Sequence, residues 1–456
     1  MADAAFERDI EMARRIAQAV RARGGRTFYV GGFVPDRLMG RETKDVDIEI
    51  HGVQPAGVAE ALDSLGQRLT IGQSFGIFGL KGYSIDIAMP RREKLRGVGH
   101  RDFDVCVDPF IGTEQAAMRR DFTVNALMQD VLTGEIVDHF HGQDDLAAGI
   151  IRHVSDETFA EDPLRVLRAA QFAARFGFAV APETVGLCRR MTLHTLSRER
   201  IEGEMRKALM QADTPSVFFE TLRTMNRLDE WFTELAALIG VPQNPKHHAE
   251  GDVWTHTMMV VDAAAKYAGR TLKPIGFMLA AVAHDFGKAV CTEAVKGEIH
   301  AYGHEVRGLP LAEAFLARIT NEKKLIAYAL NLIEHHMRPD TAAAAGSSVK
   351  STNKMFDQSV DPEAMIALAL ADDEGKISAH PTGPNDAFLY DRLRIYREYM
   401  ARPAVMGRDL IESGLKPDGS FSEILAHAHK LHLAGVDKES ALKQSLAYAR
   451  KLGKKG

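Results

Sequence analysis

Two aspartates lie two residues apart in the alternating segment KDVDIEI, at Asp45 and Asp47. Because alternate residues of a strand share one face, their carboxylates are expected to point the same way. Adjacent carboxylates repel each other unless a divalent cation lies between them, and Mg²⁺ prefers oxygen ligands that it can share with a triphosphate. The upstream pair Gly31 and Gly32 would let backbone N–H groups approach phosphate without a Cβ in the way. The pattern predicts a site for Mg²⁺ and a phosphorylated ligand.

A second group of residues with metal-ligand chemistry lies further along the chain, where histidines recur together with aspartates. A lone histidine in a helix is usually packed or exposed, but here the adjacent pair His284 and Asp285 offers two ligands from one helical turn. Imidazole plus carboxylate suits Mn, Ni, Fe, Co or Zn better than Mg²⁺. The candidate ligands are His256, His284, Asp285, His304, His335, His336 and Asp372.

The elements that position these residues change in character along the chain. Residues 1–24 are amphipathic at helical period, and TFYVGG, VDIEIHG and YSIDIAM alternate as strands do. The polar, basic segment 90–104 is typical of a mobile loop. From about residue 155 the strands are expected to stop, and helical periodicity dominates except for a loop predicted at 342–352. The fold class is therefore predicted as α+β, with a small mixed-sheet head before a helical body.

Composition places the chain among ordinary water-soluble proteins. Of its 456 residues, 45% are hydrophobic and 26% charged, and no stretch of about 18 uninterrupted apolar residues predicts a membrane span. Three scattered cysteines, Cys106, Cys188 and Cys291, indicate no disulfide framework. We therefore expect a cytoplasmic protein that binds no membrane. The basic excess over residues 164–207 could follow a phosphate backbone, although solvated helix faces would look the same. The sequence does not indicate the oligomeric state.

Several longer motifs resemble the class II tRNA nucleotidyltransferases of the polymerase-β superfamily, which add CCA to tRNA 3′ ends. The matching runs are VGGFVPDRLMG and KDVDIEI, then RRDFTVNALMQD, GEIVDHFHGQDDLAAGIIRHV, EDPLRVLRAAQFAARFGF and ERIEGEMRKAL in the same order, with MGRDLIESGLKPDGSFSEIL near the C-terminus. The resemblance covers nearly the whole chain. It implies a nucleotidyltransferase that uses Mg²⁺, CTP and ATP with tRNA as its partner.

The resemblance also assigns roles to individual residues. Asp45 and Asp47 would hold one or two Mg²⁺ ions as the catalytic pair, and Asp86 in YSIDIAM is a candidate third carboxylate, or else a strand-end acceptor. Asp121 is expected to brace the junction of head and neck. The remaining nucleotide-binding candidates are Gly31, Gly32 and Arg120 for phosphate, Asp162 and Arg165 for selection of CTP and then ATP, and Arg168 for contact with the nucleotide.

Two positions depart from the family's pattern, and both remove positive charge. Pro35 stands where the family has an arginine that contacts the triphosphate, with Arg37 as a possible substitute. Gln171 stands where the family has another arginine. Asp162 also has a second interpretation, because an aspartate before Pro163 is a standard helix N-cap; the residue can serve both roles.

The histidine pattern resembles the HD phosphohydrolase superfamily. By resemblance His256, His284, Asp285 and Asp372 are primary metal ligands, and His304 and His335 could hold a second ion. Phosphatase or cyclic phosphodiesterase action on damaged tRNA ends would follow, unless the domain is kept only for packing. The predicted domains are a nucleotidyltransferase head at 1–154, a helical neck and body at 155–240, an HD domain at 241–376 and a tRNA-binding helical tail at 377–456.

Three alternatives remain open. A poly(A) polymerase would use the same head, but that subgroup carries a basic pair where this chain has Gln73 and Ser74. A partial enzyme that adds only CC or only A is the second alternative, although the length of the segment 90–104 favours full CCA addition by analogy. The third is an HD phosphohydrolase with a vestigial nucleotide-binding head.

Overall fold

A computed structural model describes residues 2–41, 45–72, 77–95, 103–377 and 385–452. The chain divides into two units. Unit 1 comprises residues 1–208 and 217–227, and unit 2 comprises residues 209–216 and 228–456. The segment predicted as a helical neck therefore belongs, up to residue 208, to the same unit as the head.

Unit 1 combines strands with helices as the sequence predicts. Its strands are β1 Arg26–Tyr29, β2 Val46–His51, β3 Arg68–Gly72, β4 Ile77–Leu80, β5 Ile85–Ala88, β6 Arg91–Leu95, β7 Phe103–Val107, β8 Met128–Asp130, β9 Ile136–Val137, β10 Ile150–Ile151 and β11 Ala179–Val180. The helices up to the second unit are α1 Ala2–Arg21, α2 Phe33–Leu38, α3 Pro55–Asp63, α4 Thr113–Met118, α5 Gly142–Ala148, α6 Asp156–Ala160, α7 Leu164–Phe176, α8 Pro182–Cys188, α9 Arg198–Gln211 and α10 Ser216–Thr224, with a 3₁₀ helix at Thr123–Asn125.

The main sheet has the strand order β3-β4-β5-β2-β1-β8-β9, and β2 and β5 are parallel while the other neighbours are antiparallel. Alternation along β2 separates two faces. Val46, Ile48 and Ile50 are buried in an apolar cluster that includes residues of α1 and α3. Because successive side chains of a strand point to opposite faces, Asp47 and Glu49 project from the other side. The α+β expectation is confirmed.

Unit 2 is mainly helical. Its helices are α11 Thr233–Ala236, α12 Val253–Ala268, α13 Pro274–Ala283, α14 Lys288–Cys291, α15 His304–Arg307, α16 Leu309–Ile319, α17 Lys323–His335, α18 Arg338–Ala344, α19 Val349–Asp357, α20 Pro362–Glu374, α21 Asp386–Met400, α22 Gly407–Glu412, α23 Phe421–Leu433 and α24 Lys438–Leu452. Helix α12 packs on α13 and α20, and α13 also packs on α17. Within the described ranges, no helix is long and apolar enough to cross a membrane.

Three sequence-based expectations about elements need correction. At both ends of the segment 90–104 the chain forms strands and not a loop, because β6 and β7 pair antiparallel from Arg91↔Val107 to Leu95↔Phe103; residues 96–102 lie outside the described residues. Strands do not stop at residue 155, since β10 pairs with β11 and unit 2 contains a hairpin of β12 Glu293–Val295 and β13 Glu298–His300. The predicted loop at 342–352 is limited to the four residues between α18 and α19.

Asp121 joins the sheet region of unit 1 to the neck helix α7. Its carboxylate, 7% exposed, accepts hydrogen bonds from Phe122 N at 2.9 Å and Asn125 Nδ2 at 3.1 Å. It also accepts one from Arg168 Nε at 2.6 Å. Burial alone would raise the pKa of Asp121, but Arg168 and these hydrogen bonds outweigh it and hold the pKa below its usual value. The Asp121 carboxylate is thus ionised and hydrogen-bonded through both oxygens, as expected for a residue that stabilises the junction of head and neck.

We predict that Asp121→Ala lowers the free energy of unfolding by about 3 kcal/mol, because it leaves the Arg168 charge without its buried partner. Chemical denaturation at neutral pH measures the loss. Asp63→Ala is the matched control, since it breaks a more exposed Asp63–Arg68 pair and should cost less than about 1 kcal/mol. A carboxyl of lowered pKa stabilises the fold above its unfolded-state pKa, so the Asp121 effect should shrink as the pH falls below about 4. Equal losses in the two variants would contradict the brace.

Candidate active site and metal centre

The chain turns sharply between β1 and α2, at Gly31 and Gly32, which we call the glycine turn. Gly31 has φ +68°, a conformation that favours glycine. A Cβ on Gly31 would lie 3.2 Å from Asp47 Oδ2 and 3.9 Å from Arg120 Nη1. The turn therefore brings bare backbone beside both a carboxylate and a guanidinium, which is the environment that a metal-bound phosphate requires.

Three carboxylates meet beside the glycine turn. Asp47 of β2 lies directly opposite Asp86 of the parallel strand β5, and Asp45 immediately precedes β2. Burial, together with the negative charges of Asp86 and Asp45, raises the pKa of Asp47 to about 6. A group of oxygen ligands whose charges oppose one another in this way fits Mg²⁺. Asp86, the third candidate, is thus placed beside the predicted pair.

Two arginines bring positive charge to the glycine turn. Arg120 lies at Gly31, as described above, and a Cβ on Gly32 would lie 4.0 Å from Arg175 Nη1. Arg175 Nη2 also donates to Asp36 at 2.6 Å. Sequence reasoning missed Arg175, although it follows Arg168 by two helical turns on α7. Arg37, suggested as a substitute for the missing arginine at Pro35, lies over the Phe33 ring.

The neck residues predicted to read the base have intramolecular partners. Asp162 Oδ1 accepts from Leu164 N at 3.0 Å, and Oδ2 accepts from Arg200 Nη2 at 2.7 Å. Pro163, and not Asp162, directly precedes α7, so the predicted N-cap position is off by one residue, although Asp162 still bonds the first backbone N–H of the helix. The recognition role of Asp162 stays a prediction.

Arg165 and Arg168 are also engaged within the neck. Arg165 donates to the carbonyl oxygens of Thr158 at 2.6 Å and Arg119 at 2.7 Å, while Arg168 donates to Asp121. Gln171, which departs from the family's arginine, is buried with 2% exposure. Substitutions along this stripe would consequently affect packing as well as any contact with a nucleotide.

In unit 2, four imidazoles and two carboxylates converge; we call them the histidine cluster. His256 Nε2 lies 2.9 Å from Asp372 Oδ1 and 3.5 Å from Asp285 Oδ2, and His284 Nε2 lies 3.3 Å from the same Asp285 atom. His304 Nε2 lies 3.2 Å from Asp285 Oδ1. Asp285 thus faces different histidines with its two oxygens. The cluster consists of His256, His284, Asp285, His304, His336 and Asp372.

The hydrogen bonds of the Nδ1 atoms indicate which ring nitrogen of each histidine in the cluster carries the proton. Nδ1 donates to the carbonyl oxygen three residues earlier in His284 at 2.8 Å, in His304 at 2.9 Å and in His336 at 2.7 Å. His256 Nδ1 lies 3.2 Å from Gly375 O. Each Nε2 therefore presents a lone pair to the interior unless the ring is protonated. Two nitrogen lone pairs 3.3 Å apart, as in His304 and His336, repel each other unless a proton or a metal ion lies between or beside them.

The charge of the cluster agrees with this requirement. Burial alone would lower the pKa of His284, but Asp285 and Asp372 outweigh it and raise that pKa to about 9. Nε2 of His284 is also buried, with no hydrogen-bond partner among the residues that the structure describes. A metal ion with nitrogen and oxygen ligands would satisfy both conditions.

One predicted ligand is replaced by its neighbour. His336, not His335, enters the cluster, because the two lie at the end of α17 and successive helical side chains diverge by about 100°. His248 and Glu250, which sequence reasoning missed, lie behind His256: Glu250 Oε1 is 2.7 Å from His248 Nδ1 and 3.2 Å from His256 Nδ1. Such an outer carboxylate orients a ligating imidazole.

Asp285, His304 and Asp372 of the histidine cluster line a cleft of about 1000 Å³. Lys288 Nζ lies 2.7 Å from Asp285, and Lys376 Nζ lies 2.6 Å from Asp372. Both lysines line the cleft together with His304. Metal-ligating groups and positive charge at one opening suit a phosphate ester.

Comparison with known proteins identifies a matching family model and several sequence relatives. The sequence model of the poly A polymerase head domain matches residues 27–152. The multifunctional CCA protein of Xylella fastidiosa (strain M23) is 35% identical over 414 residues, which is 88% of this chain and 95% of that protein. The multifunctional CCA protein of Actinobacillus pleuropneumoniae serotype 5b (strain L20) is 37% identical over 329 residues, or 69% and 78% of the two chains.

Solved structures show a similar fold. The Thermotoga maritima CCA-adding enzyme complexed with tRNA has a TM-score of 0.63 at 18% identity, over 96% of this chain and 95% of that one. The Bacillus stearothermophilus CCA-adding enzyme in complex with CTP has a TM-score of 0.63 at 22% identity, over 97% and 98%. The sequence relatives, at 35% and 37% identity, show that the chain belongs to the family of the multifunctional CCA proteins.

Proposed function

We propose that the chain is a tRNA nucleotidyltransferase that adds C, C and A to tRNA 3′ ends from CTP and ATP, without a nucleic-acid template. The observation that carries the proposal is the meeting of Asp45, Asp47 and Asp86 at a glycine turn flanked by Arg120 and Arg175. Relatives named multifunctional CCA proteins, and a similar fold in CCA-adding enzymes bound to tRNA or CTP, support the same substrates.

In this proposal the aspartates of the site bind the metal ion and the arginines bind the phosphates. Asp45 and Asp47 would hold Mg²⁺, with Asp86 beside them. When bound, this ion would offset the charge of the triphosphate and lower the pKa of the attacking 3′-hydroxyl. Arg120 and Arg175 would bind the phosphates at the glycine turn, since guanidinium groups match phosphate geometry.

Selection of the base would fall to the neck. Asp162 would accept a hydrogen bond from the exocyclic amine of C or A, and Arg165 would donate to ring acceptors. Arg168 would contact the nucleotide. The partial CC- or A-adding enzyme and the poly(A) polymerase remain the alternatives within this class. The uncharged pair Gln73 and Ser74, which argues against the poly(A) polymerase, lies outside the described residues.

We further propose a metal-dependent phosphohydrolase site of the HD type, within residues 241–376. The supporting observation is the convergence of four imidazole groups on Asp285 and Asp372, two carboxylates that line a cleft together with His304. A bound Ni, Mn, Co or Zn ion would polarise the phosphate ester. Asp285 could serve two ions, since its oxygens face different histidines. Lys288 and Lys376 would attract the phosphate. A phosphatase or cyclic phosphodiesterase acting on tRNA ends is the expected activity.

Asp47→Ala is expected to lower nucleotide incorporation by about 10³-fold or more, because the site would lose charge stabilisation. The assay supplies a tRNA without its CCA end, Mg²⁺ and labelled CTP and ATP, and product lengths also distinguish CC, A, CCA and poly(A) addition. Asp63→Ala, an exposed aspartate of α3, should incorporate normally. Near-normal incorporation by Asp47→Ala would refute the site assignment.

Asp162→Asn should relax the choice among nucleotides, because the amide presents a donor where the carboxylate only accepts. We expect the ratio of kcat/KM for CTP over UTP to fall by about tenfold, the effect of one base-edge contact. Arg200→Ala removes the partner of Asp162 without touching its acceptor and serves as the control for packing. If both variants keep the wild-type ratio, Asp162 is only a capping residue.

Adjacent histidines offer a matched test of the histidine cluster. His336→Asn should reduce bound transition metal and hydrolysis of a 2′,3′-cyclic phosphate end by at least about tenfold, while His335→Asn leaves both near wild type. CCA addition should continue in both variants, because Asp45 and Asp47 lie in unit 1. Metal content and hydrolysis are measured after loading with Ni²⁺ or Mn²⁺. Equal hydrolysis in His336→Asn and wild type, or none in wild type, would mean that the cluster is structural.

A further inference from the structure

Strand β2 continues past the metal-binding carboxylate with two more polar residues on the same face. Glu49 and His51 follow Asp47 at alternate positions, and Glu49 lies opposite Phe28 of β1. The surroundings of Phe28 on this side of the sheet are apolar, with Val30, Ala117, Ala126 and Met128 buried against it. A carboxylate in such a place is unusual, since burial of charge opposes folding.

The two oxygens of Glu49 have different partners. The residue is 8% exposed. Oε1 lies 2.8 Å from His51 Nε2, and Oε2 accepts a hydrogen bond of 3.3 Å from Arg120 Nη2. The carboxylate therefore bridges a histidine and an arginine.

The other end of the Arg120 guanidinium lies at the glycine turn. A Cβ on Gly31 would lie 3.9 Å from Arg120 Nη1 and 3.2 Å from Asp47 Oδ2. Arg120 is thus near enough to Asp47 to be attracted by it. If Arg120 paired with Asp47, it would neutralise a metal ligand and withdraw a phosphate ligand at once. The bond to Glu49 opposes this pairing because it engages Nη2, one of the two terminal nitrogens of the guanidinium.

We propose that Glu49 is a positioning residue for nucleotidyl transfer, which keeps Arg120 directed at the triphosphate and away from Asp47. The inference rests on the proposed nucleotidyltransferase function. A buried ion pair adds little net stability compared with apolar residues of the same size, so packing alone does not account for a carboxylate here. In this role His51 completes the environment of Glu49 by bonding its second oxygen.

The test measures CTP affinity by calorimetry, and KM, kcat and the Mg²⁺ concentration for half-maximal CMP incorporation. Glu49→Gln should weaken CTP binding and raise KM by about tenfold, as loss of one charge-assisted contact does, with kcat much less affected. The Mg²⁺ requirement should rise, because Arg120 is then free to pair with Asp47. In an Arg120→Ala background, Glu49→Gln should cause no further loss of CTP affinity.

Asp130→Asn is the matched control, because Asp130 is a buried carboxylate of the same sheet that accepts from Arg26 at 3.1 Å. It should leave CTP affinity and the Mg²⁺ requirement unchanged. Glu49→Leu, of similar volume, repeats the test if Glu49→Gln is unstable. Unchanged CTP affinity in a folded Glu49 variant, or additive losses with Arg120→Ala, would overturn the positioning role. Absence of incorporation by the wild-type protein would instead overturn the proposed function.

Discussion

Repulsion among carboxylates governs the architecture of unit 1. Asp45, Asp47 and Asp86 are brought together by the parallel pairing of β2 with β5, and burial of Asp47 intensifies the repulsion between them. Such an arrangement is tolerable only when cations are supplied nearby. The glycine turn leaves space for them, and Arg120 and Arg175 approach it from separate elements. The glycine turn and the two arginines thus meet one electrostatic requirement, which the pairing of β2 with β5 creates.

Helix α7 of the neck is held to the rest of unit 1 by ion pairs as well as by apolar packing. Arg168 bonds Asp121 and Arg175 bonds Asp36, so α7 is fixed to the sheet region at two points. The same helix begins with Asp162 and Arg165, whose side chains are held by Arg200 and by backbone carbonyls. Under the proposed function α7 would select the base. Base selection would therefore depend on the two ion pairs, with Asp121 and Asp36, that fix the orientation of α7.

Local patterns were sufficient to predict the elements that carry chemistry, but not their partners. The period-two alternation of KDVDIEI placed Asp45 and Asp47 on one face because strand geometry is a local property. Arg175 and Glu49 could not be assigned in this way, since their roles arise from contacts between residues far apart in the chain. The hairpin of β6 and β7 was missed because charged residues mask the strand signal there. His335 was chosen over His336 because sequence alone does not give the phase of a helix at its end.

The hydrogen bonds of the outer imidazole nitrogens have a further consequence. Three histidines of the cluster are each fixed by the carbonyl oxygen three residues earlier, so the local chain sets their ring planes before any ion binds. A cavity of this kind adapts poorly to ionic radius. Calcium, which demands six to eight flexible oxygen donors, would find neither the number nor the freedom of ligands that it requires. The fixed ring positions would then select among metal ions by size and ligand number. This selectivity would come from the backbone hydrogen bonds and not from the strength of any single metal–ligand bond.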